Sequence, residues 1–465
     1  MNDEKKNLRD LTLPRISRRS FLKSTGGGLL ASPFFSSGTA KAQNDDFDVI
    51  VIGAGISGLA AARYLSKLDY SVVVLEASDK IGGRIKTDWT LDAPFEVGAG
   101  WIHGPDKNPI SEIVTEIGAP TFRTDDENFQ VFSKTGELQS RNKIIQGYKE
   151  LRRLYKRIDD KYDRDQSLEE AIARTSDRGL KDPMIHWMAS AYTEFSTGAP
   201  LDDLSAFFFD EDDEFWGEDV ILTDGYDQVP RFVANDLDIR LNTAVETVEY
   251  EEGDGASVYT SIGVFESDFV ICTVPLGVLK REVISFDPPL PKSYRSSISN
   301  IGFGDVTKLA LKFEEAFWPI EIQYFGLMTE TKGRWNYFLN YRTFSKENIL
   351  LGLSVGDYPE VAEQMSDTDM IADCMDAVRT MFGKDAPEPT GHLATRWSQD
   401  PWTFGAYSYA RVGNKPEDFN RLAKPVASTL LFAGEHTDFA YHGTTHGAYL
   451  SGIRAATVLD DELAE

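Results

Sequence analysis

Residues 49–58, VIVIGAGISG, followed by Glu76 at the end of SVVVLE, decide the fold of the amino-terminal region. DVIVIGAG reads as a short apolar strand running into a glycine-rich turn. SGLAAARYLSKL then places apolar and small residues at helical spacing, and SVVVLE reads as a second buried strand. The acid lies 18 positions past Gly58. Strand, glycine turn, helix, strand and acid in this order form a βαβ unit that binds a dinucleotide. Gly53 makes the tight turn, Gly55 lets the backbone approach the pyrophosphate, and Gly58 allows close helix–strand packing. The phosphates sit on the helix N-terminus, and Glu76 accepts from ribose hydroxyls.

The stretch ASDKIGGRIKT (77–87) resembles the second fingerprint of FAD enzymes. Its Gly82 and Gly83 permit close approach, and Arg84 can set a fixed charge beside the pyrophosphate, where a plain surface residue would be a solvated arginine.

The first 42 residues stand apart. SRRSFLK (17–23), a weakly apolar glycine-rich stretch and AKA at 40–42 make an export signal with a small-residue cleavage site. The paired Arg18 and Arg19 resemble the twin-arginine signal for export of folded proteins, which implies the twin-arginine export machinery as a partner and a periplasmic or secreted mature chain. No later segment offers about 20 uninterrupted apolar residues, so no membrane span is expected.

The chain has 48 basic and 75 acidic residues, a net charge of −27. The signal segment is basic, so the remainder carries roughly −32. Such charge disfavours nucleic-acid binding and attracts a small polycation, although solubility alone accounts for it equally. The two cysteines, Cys272 and Cys374, are too few for a disulfide scaffold and read as buried thiols. His436, His442 and His446 lack zinc spacing, so no catalytic metal is expected.

Three further segments resemble the flavin-containing amine oxidases, and most of all the polyamine and spermine oxidases within them. They are FEVGAGWIHGPDKNPI (95–110), IGFGDVTKLALKFEEAFW (301–318) with ICTVPLGVL (271–279) before it, and LLFAGEHTDFAYHGTTHGAYLSGIRAA (430–456). RWSQDPW (396–402) adds to the likeness. The resemblance implies an α/β fold in which a Rossmann-like FAD-binding domain (46–107, 218–298 and 393–460) interleaves with a substrate domain of mixed sheet and helices (108–217 and 299–392). It implies FAD contacts at Gly53, Gly55, Ser57, Gly58, Glu76, Ala77, Gly83 and Arg84 in the first segment. Further contacts fall at Gly100, Trp101 and Val245, and at Gly434, Glu435, Thr444 and Thr445. No cysteine lies in the last segment, so the FAD is expected to be noncovalent.

The same resemblance makes Lys308 the residue of chemistry, holding a water at flavin N5; by residue type alone it is a strand lysine like Lys312. His103 falls near the substrate, or else caps its turn. Tyr407 walls the substrate cavity, Thr444 stands where many amine oxidases have a second tyrosine, and Glu194 matches an acid of the substrate tunnel. DEDDEFWGED (210–219) reads as a solvated acidic loop or a cation-attracting mouth. The implied reaction oxidises the carbon beside a neutral amine nitrogen of a small cationic amine, hydrolyses the imine, and passes electrons to O2 with release of hydrogen peroxide. The alternatives are an L-amino-acid or monoamine oxidase of the same fold, a carotenoid-desaturase-like enzyme, and a flavin-binding protein without turnover.

Overall fold

The structure, a computed structural model, describes residues 46–159 and 162–463. The amino-terminal segment read above as an export signal, with Arg18 and Arg19, lies outside them. Strand β1 (Asp46–Ile52), helix α1 (Ile56–Ser66) and strand β2 (Val72–Leu75) form the expected βαβ unit, with β1 and β2 parallel. Every described residue of β1 from Val49 onward and all of β2 are buried, as expected of strands covered on both faces. Strand Gly263–Cys272 runs parallel to β1 on its other side, and Asp238–Arg240 runs parallel to β2.

The sheet contains eight strands. Strand Gly263–Cys272 divides its outer edge between two partners: Gly255–Thr260 pairs antiparallel with its first half, and Leu430–Phe432 pairs parallel with its last three residues. Thus the carboxyl-terminal segment returns beside the amino-terminal one. The long helix Thr445–Leu463 then packs closely on α1, where a Cβ on Gly452 would lie 2.1 Å from Ser57 O; within the βαβ unit itself, a Cβ on Gly58 would lie 2.0 Å from Gly53 O and 3.1 Å from Val51 Cγ1. Only glycine tolerates that spacing.

A second sheet of six strands runs Gly391–Ala394, Thr307–Lys312, Ile349–Ser354, Tyr337–Asn340, Tyr324–Leu327 and Phe129–Phe132. Its neighbours are antiparallel except for the last pair. Helix Asp367–Phe382 covers one face through Met370, Cys374, Met375 and Val378. The opposite face joins Trp187, Met188 and the helix Arg141–Asp159 in a separate apolar cluster. Both cysteines are free and buried.

Strands of the first sheet come from 46–107, 218–298 and 393–460. Two small pairings cross between the halves: Thr121–Arg123 with Val220–Leu222, and Gly302–Gly304 with Tyr407–Tyr409. Strand Gly391–Ala394 also runs across the boundary placed at 392. Among the described residues, no helix is long and apolar enough to cross a membrane.

Candidate active site

A cavity of about 1440 Å³ runs between the two sheets. At one end, α1 begins at Gly55 with no side-chain cap and no acid in its first turn. Its first amides are therefore left for an external acceptor, and the helix dipole favours an anion there. A Cβ on Gly55 would meet nothing within 4 Å, so the glycine leaves room on the cavity side. Gly53 and Gly83 both adopt positive φ, at 103° and 56°. The second glycine turn is stitched to the first, because Gly82 N donates to Ala54 O at 2.8 Å.

Glu76 is buried at the end of β2. Its carboxylate accepts from Ala54 N at 2.7 Å and from Ser78 N and Oγ at 2.9 and 2.8 Å. Ala77, Val245 and Thr273 line the same end of the cavity. Of the residues expected to meet the cofactor, Gly58 does not line the cavity; it packs against β1, which is the role its missing side chain serves. Ser57 lines the cavity, and its hydroxyl pairs with Ser451 Oγ at 3.1 Å. The uncapped helix, the open Gly55 and the buried acid together fit a dinucleotide.

Arg84 and Glu435 meet across 351 positions of sequence. Arg84 Nη1 donates to Glu435 Oε1 at 2.8 Å and to Ala406 O at 2.7 Å. Glu435 also accepts from Ser408 Oγ at 2.5 Å and from Gly443 N at 2.9 Å. Burial alone would raise this carboxyl, but Arg84, His436 and Ser408 hold it down at about 2. The pair locks the Tyr407 strand and the 443–445 turn onto the glycine loop. Thr444 lines the cavity, yet its hydroxyl is used locally: it donates to Tyr441 O and accepts from Gly447 N.

At the middle of the cavity stands Lys308, the second residue of strand Thr307–Lys312 and 7 % exposed. Its Nζ donates to Gly98 O at 2.5 Å and Glu96 O at 3.0 Å, and lies 5.7 Å from the Trp101 ring centre. Burial lowers its pKa to about 8, with Glu96 acting in the opposite sense. Gly100 sits beside it; a Cβ there would lie 3.8 Å from Nζ. By contrast Lys312 pairs with Asp92 and Glu347 at the surface end of the strand.

Beyond Lys308 the walls are aromatic: Trp101, Tyr192, Phe195, Tyr324, Tyr337 and Tyr407. Tyr407 fits because Gly198, at φ 66°, has no Cβ to collide with its ring, and its hydroxyl donates to Phe195 O at 2.5 Å. The rim is acidic. His103 Nδ1 lies 2.6 Å from Asp219 Oδ2, and Asp219 Oδ1 accepts from Gly104 N. Asp126 lies at the same rim. Desolvation by the surrounding walls and the charge of Asp219 push its carboxyl up to about 6.

Glu194 is elsewhere. It is fully buried, does not line the cavity, accepts from Leu201 N at 3.1 Å and pairs with Lys332 at 3.2 Å. It closes a π-helical turn, Ala189–Glu194, whose Tyr192 and Thr193 do reach the cavity. The tunnel-acid expectation for Glu194 is therefore corrected: its carboxylate is directed into the protein, where Lys332 compensates it. Asp126, Asp219, Glu96 and the tyrosines at 192, 324 and 337 were not expected from sequence. The only signal was the acid-rich run ending at Asp219. Among the described residues no cluster of His, Cys, Asp and Glu could hold a metal.

The family model described as flavin containing amine oxidoreductase matches residues 56–459. The probable polyamine oxidase 4 of Arabidopsis thaliana is 35% identical over 439 residues, covering 90% of this chain and 87% of that protein. Polyamine oxidase 4 of Oryza sativa subsp. japonica is 34% identical, covering 88% and 87%. The solved structure of wild-type putrescine oxidase bound to putrescine superposes with a TM-score of 0.76 at 25% identity, over 90% of this chain and 99% of that one.

Proposed function

From the premise that the chain belongs to the flavin-containing amine oxidoreductase family, we propose that it oxidises a C–N bond of a di- or polyamine to an imine. Hydrolysis then yields an aldehyde and an amine, and O2 is reduced to hydrogen peroxide. The observation that carries this reading is one continuous cavity, with a dinucleotide cradle at one end, an aromatic chamber with an acidic rim at the other, and buried Lys308 between them.

Bound FAD, held noncovalently, supplies the two-electron acceptor. The α1 amides would hold its phosphates and Glu76 its ribose. Trp101 and Tyr407 form apolar walls where the reacting carbon must lie, and such walls favour the neutral amine that oxidation requires. Asp126 and Asp219 supply negative charge for a second, remote ammonium, so one substrate meets a dry site and an ionic site at once. Lys308 places a cation beside the reacting centre, where charge develops. His103 sits at the rim under the control of Asp219.

A peroxide-coupled screen of the purified protein against spermine, spermidine, acetylated polyamines, putrescine, monoamines and L-amino acids tests the reading. Preference for a di- or polyamine supports it; preference for L-amino acids transfers the assignment to an amino-acid oxidase of the same fold.

SRRSFLK and AKA support a further reading, that the chain is exported folded by the twin-arginine machinery to the periplasm or beyond. The double variant Arg18→Lys, Arg19→Lys should then remain in the cytoplasm, and export of that variant at the wild-type level would rule the pathway out.

A further inference from the structure

Glu96 lies at the far side of Lys308 from the aromatic chamber, on the two-residue strand Phe95–Glu96. It is 6 % exposed and firmly held: Oε1 accepts from Tyr226 N at 2.9 Å and Oε2 from Thr87 Oγ1 at 2.9 Å. Its own carbonyl accepts from Lys308 Nζ. Glu96 and Lys308 share the lining of a void of about 10 Å³, whose walls are otherwise mostly apolar and include Trp101 and Tyr341. That is about the space of one water probe.

We propose that Glu96 is the positioning residue that keeps the Lys308 amine protonated at working pH. The inference rests on the reading of Lys308 given above. A buried amine loses its charge unless something nearby favours the ammonium. Here two backbone carbonyls fix the nitrogen and Trp101 presents a ring face, but only a carboxylate supplies a full opposite charge. Hydrogen bonds from Tyr226 N and Thr87 favour the ionised form of that carboxylate. The charges that bear on Glu96 are Lys308 and, in the opposing sense, Asp227; Tyr341 also faces it, from the turn at Tyr341–Thr343. Burial raises Glu96 to about 7 and lowers Lys308 to about 8. With rising pH the pair therefore passes from protonated carboxyl and ammonium, through the ion pair, to carboxylate and free amine.

The test uses holoenzyme labelled with [13Cε]lysine, with Lys308→Met identifying the Lys308 resonance. Glu96→Gln keeps an acceptor for Tyr226 N and a partner for Thr87 but removes the charge. It should lower the Lys308 titration midpoint by about one pH unit, a tenfold loss of ammonium above that midpoint. The pH profile of flavin reoxidation should move by the same amount. Glu96→Asp, which retains the charge, should restore most of both. Should Glu96→Gln fail to fold, Thr87→Val removes a hydrogen bond that favours the ionised carboxylate and should shift the Lys308 midpoint in the same direction by less. An unchanged Lys308 midpoint in a folded Glu96→Gln or Thr87→Val protein overturns the proposal. If Lys308→Met reoxidises at the wild-type rate, the role of Lys308 in turnover falls, while the resonance still reports whether Glu96 sets its charge.

Discussion

Glu435→Gln should cost most of the stabilisation that the Arg84 pair provides, and the loss should depend on pH. In the folded chain this carboxyl is held at about 2 against an ordinary 4.5. That difference corresponds to about 3 kcal/mol of folding free energy at neutral pH. The glutamine can still accept from Ser408 and Gly443, but Arg84 is left without its counter-charge, and breaking a buried pair typically costs about 3–5 kcal/mol. With unfolding entropy near ~2.1 cal/mol/K per residue, the melting temperature should fall by roughly 3–5 °C for a chain of this length. Because the folded value lies below the unfolded one, the stabilisation is complete above the ordinary carboxyl range and disappears as pH falls from 4.5 toward 2. Thermal unfolding of wild type and variant at pH 7 and at stepwise lower pH should show a gap that narrows on acidification. A gap that stays the same from pH 7 to pH 3, or no gap at pH 7, would refute the assignment of Glu435 as a charged, Arg84-paired residue.

Glu194→Gln should change stability only modestly, since Lys332 keeps Glu169 and Asp357 as partners and burial already disfavours the charged form of Glu194, and should leave the KM for amines unchanged; a selective rise in KM would return Glu194 to the substrate. Acid precipitation should release all FAD into the supernatant, and flavin retained on the protein would contradict noncovalent binding. Asp126→Asn should weaken capture of a polyamine, read as kcat/KM, several-fold more than capture of a monoamine. Raising salt should reduce wild-type kcat/KM for the same substrate, because attraction between accessible charges is screened beyond about 10 Å at 0.1 M. Equal losses for both substrates, or indifference to salt, would remove the acidic rim from substrate binding.

Features set by local rules were legible in the sequence. The βαβ unit announces itself through apolar runs, spaced glycines and an acid at fixed spacing, and Gly58 packs against β1 where its missing side chain predicts. Lys308 could be singled out only by the resemblance of its segment, because a strand lysine has no local mark of burial. What remained hidden is pairing over long sequence distances. Arg84 meets Glu435 across 351 positions and His103 meets Asp219 across 116, and periodicity carries no information about such partners. Glu194 illustrates the cost: its segment matched a tunnel acid, but Lys332, from a loop far along the chain, turns it inward. The aromatic chamber was unreadable for the same reason, since Tyr192, Tyr324 and Tyr337 converge from a π-helical turn and two strands.

The most direct measurement is anaerobic mixing of the purified yellow protein with spermine, spermidine, putrescine or an L-amino acid, followed by admission of oxygen. A di- or polyamine should bleach the flavin's visible absorbance within a turnover, and oxygen should restore the colour with one hydrogen peroxide released per flavin reduced. Bleaching by L-amino acids while every amine leaves the spectrum untouched would contradict the account.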